Sequence, residues 1–538
     1  MRAARAARDA SCAKMVHMAF KLTYSTMFEP PESLHESFDA ALARLRATAP
    51  ADHGLYIDGE NRAAAQSRDQ FSPINTAVKL GRFAEAGAED VNRAVAAAKR
   101  AFPAWRHMAV AERNALLRKV SALIAARVYE ISAAVSLEVG KNRMEALGEV
   151  QETADFFALY CDDYERQRFD HVLPDDPVKG FRSRNRSVMK PHGVWAVIAP
   201  FNFPFALAGG PVAAALVTGN TVVLKGATDT PWAGRLLADC LHDAGIPPGV
   251  FNYLNGNGTE AGAALVAHPD VAGITFTGSH AVGMGIARSM VAGAVPKPCI
   301  AEMGGKNAVI VTARADMQRA AAGILRSAYG MGGQKCSATS RIFVEERAAP
   351  ALIAALGEGI RAIRIGDPTL RENWLGPVIN ATAIGNYRRY SAALKTGGAS
   401  IVAGGNTWSE GALAAGHYCE PTLAIAPPAH ALWRQEMFLP IAMLATVRDR
   451  EQAMAWANDS ELGLTAGFYG GADEVDWFFD NIEAGVLYAN RPQGATTGAW
   501  PGYQPFGGWK GSGNTGKGIA SFYYLAQYQR EQSQTRVE

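Results

Sequence analysis

The sequence has few cysteines and no closely spaced cysteine pair. Six cysteines are spread over 538 residues, and none of them forms a C-x-x-C motif. This pattern argues against a disulfide-stapled scaffold and against a structural zinc site, and it is typical of a protein of the reducing cytoplasm. The six are Cys12, Cys161, Cys240, Cys299, Cys336 and Cys419.

Net charge is almost absent as well. The chain has 53 Lys and Arg against 51 Asp and Glu, which gives a formal net charge of +2 at pH 7. A chain so close to neutral has no electrostatic reason to bind nucleic acid or an anionic membrane, so neither partner is predicted. A length of 538 residues is too great for one compact core and predicts two or three domains.

The chain lacks an uninterrupted hydrophobic segment. Its first twenty residues are basic and rich in alanine, but they have no apolar core and no clear cleavage site, so a secretory signal is not predicted. They are interpreted as a disordered tail, or as the product of an upstream start codon, with the real start at Met15 or Met18. A transit peptide is the alternative. Residues 193–224 carry no charge, but prolines and glycines interrupt them and predict strand, loop, helix, turn and strand.

Strands and helices alternate along the chain. Near-continuous apolar runs predict buried strands at 194–199, 221–225, 250–254, 273–277 and 308–312. Helical periodicity predicts helices at 88–105, in further segments up to about residue 167, at 212–217 and at 232–244. A second unit begins near Gly304, where Asp316 can cap a helix, and the polar stretch 171–193 predicts a hairpin. This alternation predicts an α/β fold whose parallel sheets have helices on both faces.

One cysteine stands in a setting that differs from the others. Cys336 lies in MGGQKCSATS, where Gly332 and Gly333 permit tight backbone turns and small side chains leave room for a substrate. A thiol among backbone N–H groups can be partly ionised at neutral pH, and the thiolate is the reactive form. Cys336 is therefore a candidate nucleophile, with a buried structural thiol as the alternative.

Two further motifs offer partners for a nucleophile. APFNFPF places Asn202 just beyond the carboxyl end of a predicted strand, the edge at which open α/β sheets bind ligands. AEMGGKN places Glu302 before two glycines at the junction of the two units. Each motif alone is also explained by an Asx turn or a solvent-exposed acid.

The motifs taken in order resemble the NAD(P)-dependent aldehyde dehydrogenase superfamily. They run from about residue 50 to about residue 530, and Glu302 precedes Cys336 by 34 positions, a spacing diagnostic of that family. The motifs are PFNFPF, GNTVVLK, FTGS, EMGGKN, GQKCSA, RQEMFLP and QPFGG.

The resemblance implies a Rossmann-type cofactor-binding domain, an α/β catalytic domain and a bridging hairpin that joins subunits. The implied boundaries are 1–50 for an N-terminal extension, 51–168 and 192–303 for the cofactor-binding domain, 169–191 and 509–538 for the bridging and oligomerisation element, and 304–508 for the catalytic domain.

The resemblance also implies a mechanism. Cys336 attacks the aldehyde carbon, and the amide of Asn202 with the Cys336 backbone N–H stabilises the oxyanion. Hydride transfer to the cofactor leaves a thioester, and Glu302 activates the water that hydrolyses it. No metal is implied.

The cofactor implied is NAD, with NADP not excluded. The matching cofactor residues are Lys225, Thr228, Gly258, Gly278, Ser279, Glu436 and Phe438. Many NAD-preferring relatives carry a glutamate at this position, whereas this chain has Thr228. No carboxylate here would therefore repel the 2′-phosphate of NADP. Leu439 stands where a glycine is common, and the sequence alone offers no account of it.

Several segments most resemble the Δ1-pyrroline-5-carboxylate dehydrogenases, which oxidise glutamate γ-semialdehyde in proline catabolism. LEVGKNRMEALGEVQETADF is one, and TGAWPGYQPFGG is the other. The implied substrate residues are Phe203, Ser337, Gly498, Ala499 and Phe506. A second Gly-Ala pair at Gly494 and Ala495 leaves another semialdehyde or an aliphatic aldehyde open as the substrate.

Three further expectations complete the interpretation. Family members pair through C-terminal tails, so a homodimer or higher homo-oligomer is predicted, with the apolar stretch 520–529 buried in it. A non-catalytic structural relative is the alternative of another class, although Cys336 and Glu302 are both present. A cofactor-free cysteine hydrolase would need a histidine base, and none of the eleven histidines lies in a recognisable partner motif.

Overall fold

The structure is a computed structural model that describes residue 22 and residues 30–178, 180–494 and 501–538. The α-helices are α1 Glu32–Ala47, α2 Ala88–His107, α3 Val110–Ala126, α4 Val128–Val139, α5 Arg143–Gln167, α6 Ala206–Val217, α7 Pro231–Ala244, α8 Ala263–Ala267, α9 His280–Val291, α10 Met317–Tyr329, α11 Ala349–Ala362, α12 Ala381–Thr396, α13 Arg450–Asn458 and α14 Val475–Asn481. The strands up to the middle of the chain are β1 Ala51–His53, β2 Leu55–Ile57, β3 Glu60–Arg62, β4 Gln66–Phe71, β5 Lys79–Glu85, β6 Asp170–Leu173, β7 Ser183–Pro191, β8 Val194–Ile198, β9 Thr221–Lys225, β10 Phe251–Leu254, β11 Val271–Thr277 and β12 Cys299–Glu302. The remaining strands are β13 Asn307–Val311, β14 Thr339–Glu345, β15 Ser400–Ala403, β16 Thr422–Ile425, β17 Ile441–Val447, β18 Leu462–Gly463, β19 Thr465–Tyr469, β20 Val486–Ala489, β21 Trp509–Lys510 and β22 Gln529–Val537.

The first large sheet has seven strands in the order β12-β11-β8-β9-β10-β2-β3. The five strands from β12 to β10 are parallel, and β2 joins them antiparallel. Every residue of β9 is buried, as its continuous apolar run predicts for a strand covered on both faces. The four strands predicted between 194 and 277 are therefore confirmed as β8 to β11.

The second large sheet also has seven strands, in the order β15-β16-β17-β14-β13-β19-β20. All pairs are parallel except β15 with β16. The strand predicted at 308–312 is β13, and the Asp316 carboxylate accepts the Arg319 backbone N–H at 3.1 Å to cap α10, as expected. Apolar side chains pack on both faces of each large sheet, so each sheet has its own core.

The helix predicted at 212–217 is longer than expected and begins at Ala206. Gly209, Gly210 and Pro211 lie inside it rather than in a loop. A Cβ added at Gly209 would lie 2.3 Å from Cγ2 of Thr153 on α5, so the small residues allow two helices to approach closely. Close helix packing overrides the local loop signal here.

A three-stranded antiparallel sheet, β22-β7-β6, confirms the hairpin predicted at 171–193. Its third strand is the C-terminal β22, which pairs with β7 along its whole length. The stretch 520–529 is only partly available to another subunit. Tyr524, Leu525 and Tyr528 are buried in this chain, because they complete the core of the first sheet, whereas Phe522 and Tyr523 are exposed.

The N-terminal region contributes α1, whose apolar side chains Leu34, Phe38 and Ala41 are buried and pack with residues of α4. The expectations for the first twenty residues lie outside the described part of the chain. In the residues described, no single helix is long and apolar enough to cross a membrane; α3 and α4 reach that length and composition only together, across a bend of 69°.

Candidate active site

The carboxyl edge of the first sheet carries four of the predicted site residues. Lys225 is the last residue of β9 and Glu302 the last of β12, while Asn202 follows β8 and Ser279 follows β11. Because these strands are parallel neighbours, their carboxyl ends meet at one edge, where open α/β sheets bind ligands.

The amino edge of the second sheet carries the others. Cys336 lies just before β14, and Glu436 and Phe438 lie just before the neighbouring β17. The two edges meet at the predicted catalytic residues, since Nδ2 of Asn202 donates to the Gln334 carbonyl at 3.0 Å. The structure therefore brings residues from both sheets into one site.

The nucleophile loop is bent by left-handed backbone between α10 and β14. Met331, Gly332 and Gly333 have φ of 53°, 65° and 66°. Gly333 is required by space as well, because a Cβ there would lie 2.2 Å from the carbonyl oxygen of Leu439. This bend brings Cys336 to the amino edge of the second sheet. Nδ2 of Asn307 donates a hydrogen bond to the Cys336 carbonyl at 2.7 Å.

Burial, together with the carboxylates of Glu436 and Glu302, raises the pKa of the Cys336 thiol to about 12. The backbone N–H groups of Cys336 and Ser337 act in the opposite direction, as the sequence predicted, but burial outweighs them. The expected partial ionisation at neutral pH is therefore not found, and a base must take the thiol proton during attack.

Glu302 is a carboxyl group with the properties of a base. Its Oε2 accepts the Gly508 backbone N–H at 3.1 Å, in the QPFGG motif. Burial raises the pKa of Glu302 to about 8, and the Gly508 hydrogen bond opposes that shift. A carboxyl group that titrates near neutral pH can accept and release a proton under working conditions.

A cavity of about 580 Å³ opens at the carboxyl edge of the first sheet. It is lined by Lys225, Thr228, Gly258 and Ser279, four of the predicted cofactor residues, together with apolar side chains such as Ile286. The arrangement offers a long pocket with a cation at one wall and a helix start at another.

Lys225 is the cation of this cavity and is only 5% exposed. Burial lowers the pKa of Lys225 to about 8; Asp229 opposes the shift and Arg68 adds to it. Arg68 also donates to the Thr228 carbonyl, and the Thr228 hydroxyl donates to the Gly256 carbonyl at 3.1 Å. Sequence reasoning missed Arg68, because it lies on β4 with no motif around it.

The turn after β11 fits the prediction in part. Ser279 caps α9, accepting the Val282 N–H at 3.5 Å, so the start of α9 lies at the cavity. The Gly278 N–H donates to the Glu302 carbonyl at 3.1 Å and is already used. Gly278 is instead required by space, since a Cβ there would lie 2.5 Å from the Phe276 ring.

Glu436 lies along the backbone that follows Glu302. Its Oε1 accepts the Gly305 N–H at 3.0 Å, and a Cβ on Gly304 would lie 1.9 Å from its Oε2. Burial raises the pKa of Glu436, and the Lys306 ammonium opposes that shift. Gly304 of the EMGGKN motif thus makes room for this carboxylate.

Phe438 and Leu439 have separate surroundings. Phe438 adopts a left-handed φ of 56° and meets Phe201 edge-on, with ring centroids 5.8 Å apart. Leu439 is 5% exposed and packs in the core of the second sheet, which accounts for an apolar residue where a glycine is common.

The aromatic substrate residues are brought together. Phe203 and Phe506 are each 7% exposed and belong to the same apolar cluster, against which Cys336 packs. Ser337 is buried, and its carbonyl accepts from Thr465 Oγ1 at 3.2 Å.

The predicted carboxylate anchors Gly498 and Ala499 lie outside the residues that the structure describes, as does Ala495. Gly494 has a φ of 67°, and a Cβ there would lie 2.1 Å from the Gly323 carbonyl oxygen of α10, so packing explains this glycine. Across the described ranges, no group of three or more His, Cys, Asp or Glu side chains could hold a metal ion.

Comparison with known proteins places this site in a family. A sequence model of a protein family, described as "Aldehyde dehydrogenase family", matches residues 61–533 of this chain. The 1-pyrroline-5-carboxylate dehydrogenase of Geobacillus kaustophilus (strain HTA426) is 35% identical over 504 residues, which cover 93% of this chain and 96% of that protein.

Solved structures agree with this placement. A 1-pyrroline-5-carboxylate dehydrogenase from Thermus with bound NAD has a TM-score of 0.90 at 33% identity, covering 97% of this chain and 100% of that one. A lactaldehyde dehydrogenase has a TM-score of 0.84 at 31% identity, covering 91% of this chain and 100% of that one.

These findings confirm the predicted α/β fold class and the predicted NAD(P)-dependent aldehyde dehydrogenase activity. They agree with the geometry, in which Asn202 and Glu302 from the edge of the first sheet meet Cys336 from the edge of the second. The chain belongs to the aldehyde dehydrogenase family.

Proposed function

We propose that this chain oxidises L-glutamate γ-semialdehyde, the open form of Δ1-pyrroline-5-carboxylate, to L-glutamate in proline catabolism, with NAD as the hydride acceptor. The observation that carries the proposal is the meeting of Cys336, Asn202 and Glu302 between the two sheets, in a chain that covers 96% of a relative named for this reaction.

Attack by Cys336 forms the first covalent intermediate. One amide hydrogen of Asn202 is used by the Gln334 carbonyl, and the other has no partner among the described residues. It and the Cys336 backbone N–H stabilise the oxyanion of the thiohemiacetal. Removing one such donor typically costs about 3–4 kcal/mol of transition-state stabilisation.

The residues at the carboxyl edge suit a dinucleotide. The cavity is large enough for part of a dinucleotide, and Lys225 supplies a nearly buried cation for the adenosine ribose. The start of α9 at Ser279 favours the negatively charged pyrophosphate. Glu436, fixed by the Gly305 N–H, binds the nicotinamide ribose. When bound, NAD would supply the hydride acceptor, and Lys225, Ser279 and Glu436 are the residues that would hold it.

Glu302 completes the cycle by activating the water that hydrolyses the thioester. Its pKa of about 8 allows it to take a proton from water and release it again near neutral pH. The Gly508 N–H holds its carboxylate in place at 3.1 Å. Sulfur suits this two-step route, because it is both a good nucleophile and a good leaving group.

The substrate proposal rests on the residues packed around Cys336. Phe203 and Phe506 clamp the aliphatic chain, and Ser337 with the backbone at Gly498 and Ala499 receives the α-carboxylate. Holding this far end of the substrate places its aldehyde on sulfur.

Each of the two large sheets belongs to a different functional domain. Residues 51–168 and 192–303, which include the first large sheet, form the cofactor-binding domain, and residues 304–508, which include the second, form the catalytic domain. Residues 169–191 and 509–538 form the bridging element, and 1–50 an extension that contributes α1.

The enzyme works in the cytoplasm as a homodimer or higher homo-oligomer. The described cysteines are all free thiols, which suits a reducing compartment. The exposed Phe522 and Tyr523, and the exposed Val172 of the hairpin, supply apolar surface for a second copy.

The function is tested by steady-state kinetics with glutamate semialdehyde, succinate semialdehyde and hexanal, each with NAD and with NADP. We expect the highest kcat/KM for glutamate semialdehyde with NAD. Ser337→Ala should lower that value about tenfold, the scale of a hydrogen bond to a charged group, and should change the hexanal value much less. An enzyme that prefers hexanal, or a variant that loses both activities equally, would leave another aldehyde as the substrate, the second candidate favoured by the similarity to a lactaldehyde dehydrogenase.

A further inference from the structure

The first two turns of α5 carry two carboxylates on one face, one fully buried and one nearly so. Glu145 and Glu149 are one helical turn apart, and each pairs with a lysine. Nζ of Lys335 lies 2.8 Å from Oε1 of Glu145, with side chains 6% and 12% exposed. Nζ of Lys141 pairs with Oε2 of Glu149, and both side chains are fully buried.

Stability alone does not explain this arrangement. A buried ion pair can often be replaced by apolar residues at no cost, because desolvation offsets the attraction between the charges. These two pairs differ from an ordinary buried ion pair in what they contact, because each holds a backbone segment of the active site.

The pair of Glu149 and Lys141 holds the segment that follows Asn202. Oε1 of Glu149 accepts the backbone N–H groups of Phe205 and Ala206 at 2.8 and 3.2 Å. The Lys141 ammonium lies 3.6 Å from the centre of the Phe203 ring. This pair therefore fixes the backbone on which the Asn202 amide stands.

The pair of Glu145 and Lys335 holds the nucleophile loop. Lys335 immediately precedes Cys336, in a loop whose left-handed residues include the non-glycine Met331. Such backbone persists only where surrounding contacts impose it. Gly330 leaves the space that the ion pair needs, because a Cβ there would lie 2.8 Å from Nζ of Lys335.

The helix end that carries Glu145 is itself fixed. Asn142 caps α5 by accepting the Glu145 backbone N–H at 3.0 Å, and its Nδ2 donates to the Trp374 carbonyl at 3.0 Å. Oε2 of Glu145 is buried without a hydrogen-bond partner among the described residues; Lys335 pairs with this carboxylate directly, and the Lys141 ammonium also attracts it.

We propose that Glu145 and Lys335 are positioning residues, which orient the Cys336 thiol and backbone N–H toward the same point as the Asn202 amide. The Glu149 pair does the same for Asn202 from the next turn of the same helix. One rigid element thereby sets the distance between the nucleophile and both oxyanion donors. The inference rests on the catalytic roles proposed for Cys336 and Asn202.

The test is the burst of NADH formation in pre-steady-state kinetics, with NAD and the best aldehyde of the wild-type enzyme both in excess over the enzyme. The burst amplitude counts active sites, and the rate constant reports the chemistry at each site. Glu145→Gln and Lys335→Met each leave one buried charge without its partner and are expected to lower the amplitude as well as the rate constant.

The decisive variant is therefore Glu145→Met with Lys335→Met, which leaves no unpaired charge. We expect its NAD Kd within about twofold of wild type and its burst rate constant lowered about tenfold or more, since misplacing reacting groups by 1 Å can cost about 100-fold. Lys335→Arg keeps the charge and should retain more of the rate constant than Lys335→Met does.

A matched control is Arg118→Met with Glu165→Met, which removes an exposed ion pair from the far end of α5. Its burst rate constant should equal that of wild type. The proposal is wrong if the Glu145 and Lys335 double variant has a wild-type rate constant per active site, whatever its amplitude. Absence of NADH formation by the wild-type enzyme with glutamate semialdehyde would instead overturn the proposed function.

Discussion

The two edges that meet at the active site are built in different ways. On the carboxyl edge of the first sheet, Lys225 and Glu302 are the last residues of their strands, so strand register alone delivers them. On the amino edge of the second sheet, Cys336 stands in a left-handed loop held by Asn202, Asn307 and Glu145, which come from other parts of the chain. A local pattern can place the first kind of residue, whereas the second kind depends on tertiary contacts.

The difference predicts how each edge responds to change. A substitution of Lys225, Thr228 or Glu302 on the carboxyl edge should alter cofactor choice or water activation and leave the covalent step intact. A substitution at the nucleophile should remove the covalent step and leave cofactor binding intact. The four predictions below test this division, from the largest effect to the smallest.

Cys336→Ala should abolish dehydrogenase activity while NAD binding stays nearly unchanged, because the thiol forms the covalent intermediate and is not placed at the cofactor cavity. Steady-state turnover and NAD titration by fluorescence measure the two effects. We expect less than about 1% of wild-type turnover, the scale for loss of a nucleophile. Cys299→Ala, which removes a half-buried thiol at the other end of β12, serves as the control and should remain active. Turnover well above that limit would rule Cys336 out as the nucleophile.

Glu302→Gln should separate the two half-reactions. One NADH per active site should still form, and turnover should then stall at the thioester, because the amide cannot take a proton from water. Rapid-quench mass spectrometry should show acylated Cys336. Glu461→Gln, at an exposed acid outside the site, should turn over normally. A normal steady-state rate in Glu302→Gln would place the base elsewhere.

The hydrolysis step should depend on pH through Glu302. Because burial raises the pKa of Glu302 to about 8, the carboxyl group is mostly neutral below that pH and acts as a base above it. The rate of thioester hydrolysis should therefore rise about tenfold per pH unit up to pH 8 and then level off. Single-turnover hydrolysis of the acylated enzyme measures this profile. A profile that is flat between pH 6 and pH 9 would contradict the assignment.

Thr228→Glu should shift cofactor choice toward NAD. Its side chain lies at the cavity that Lys225 also lines, so a glutamate there would repel a 2′-phosphate. Like charges about 4 Å apart cost about 1–4 kcal/mol, so kcat/KM for NADP should fall about fivefold or more relative to NAD. Thr228→Gln, of the same size without the charge, is the control. Equal losses with both cofactors would mean that residue 228 does not face the ribose.

Much of this site could be predicted from sequence because the motifs mark strand ends. The apolar runs before Asn202, Lys225 and Ser279 predicted strands that the structure confirms, and the order of motifs predicted the family. The longer helix α6 was missed, because its glycines and proline signal a loop unless the neighbouring α5 is known.

Other features could not be predicted because they arise only when distant segments meet. Burial raises the pKa of Cys336 above the range that its neighbours along the chain suggested, since the whole surrounding core sets the cost of a thiolate. The Gly508 N–H bonds Glu302 across 206 positions, and Lys335 pairs with Glu145 across 190. No pattern of neighbouring residues in the sequence predicts such contacts.

The sequence by itself determined the fold class, the order of the strands along the chain and the chemical types of the reacting side chains, because hydrophobic periodicity and short motifs are local properties. The tertiary structure decided which residues face each other, how strongly each titratable group is desolvated and which helix contacts the loops of Cys336 and Asn202. The physical reason is that pairing and desolvation depend on neighbours in space, and those neighbours are far apart in the chain.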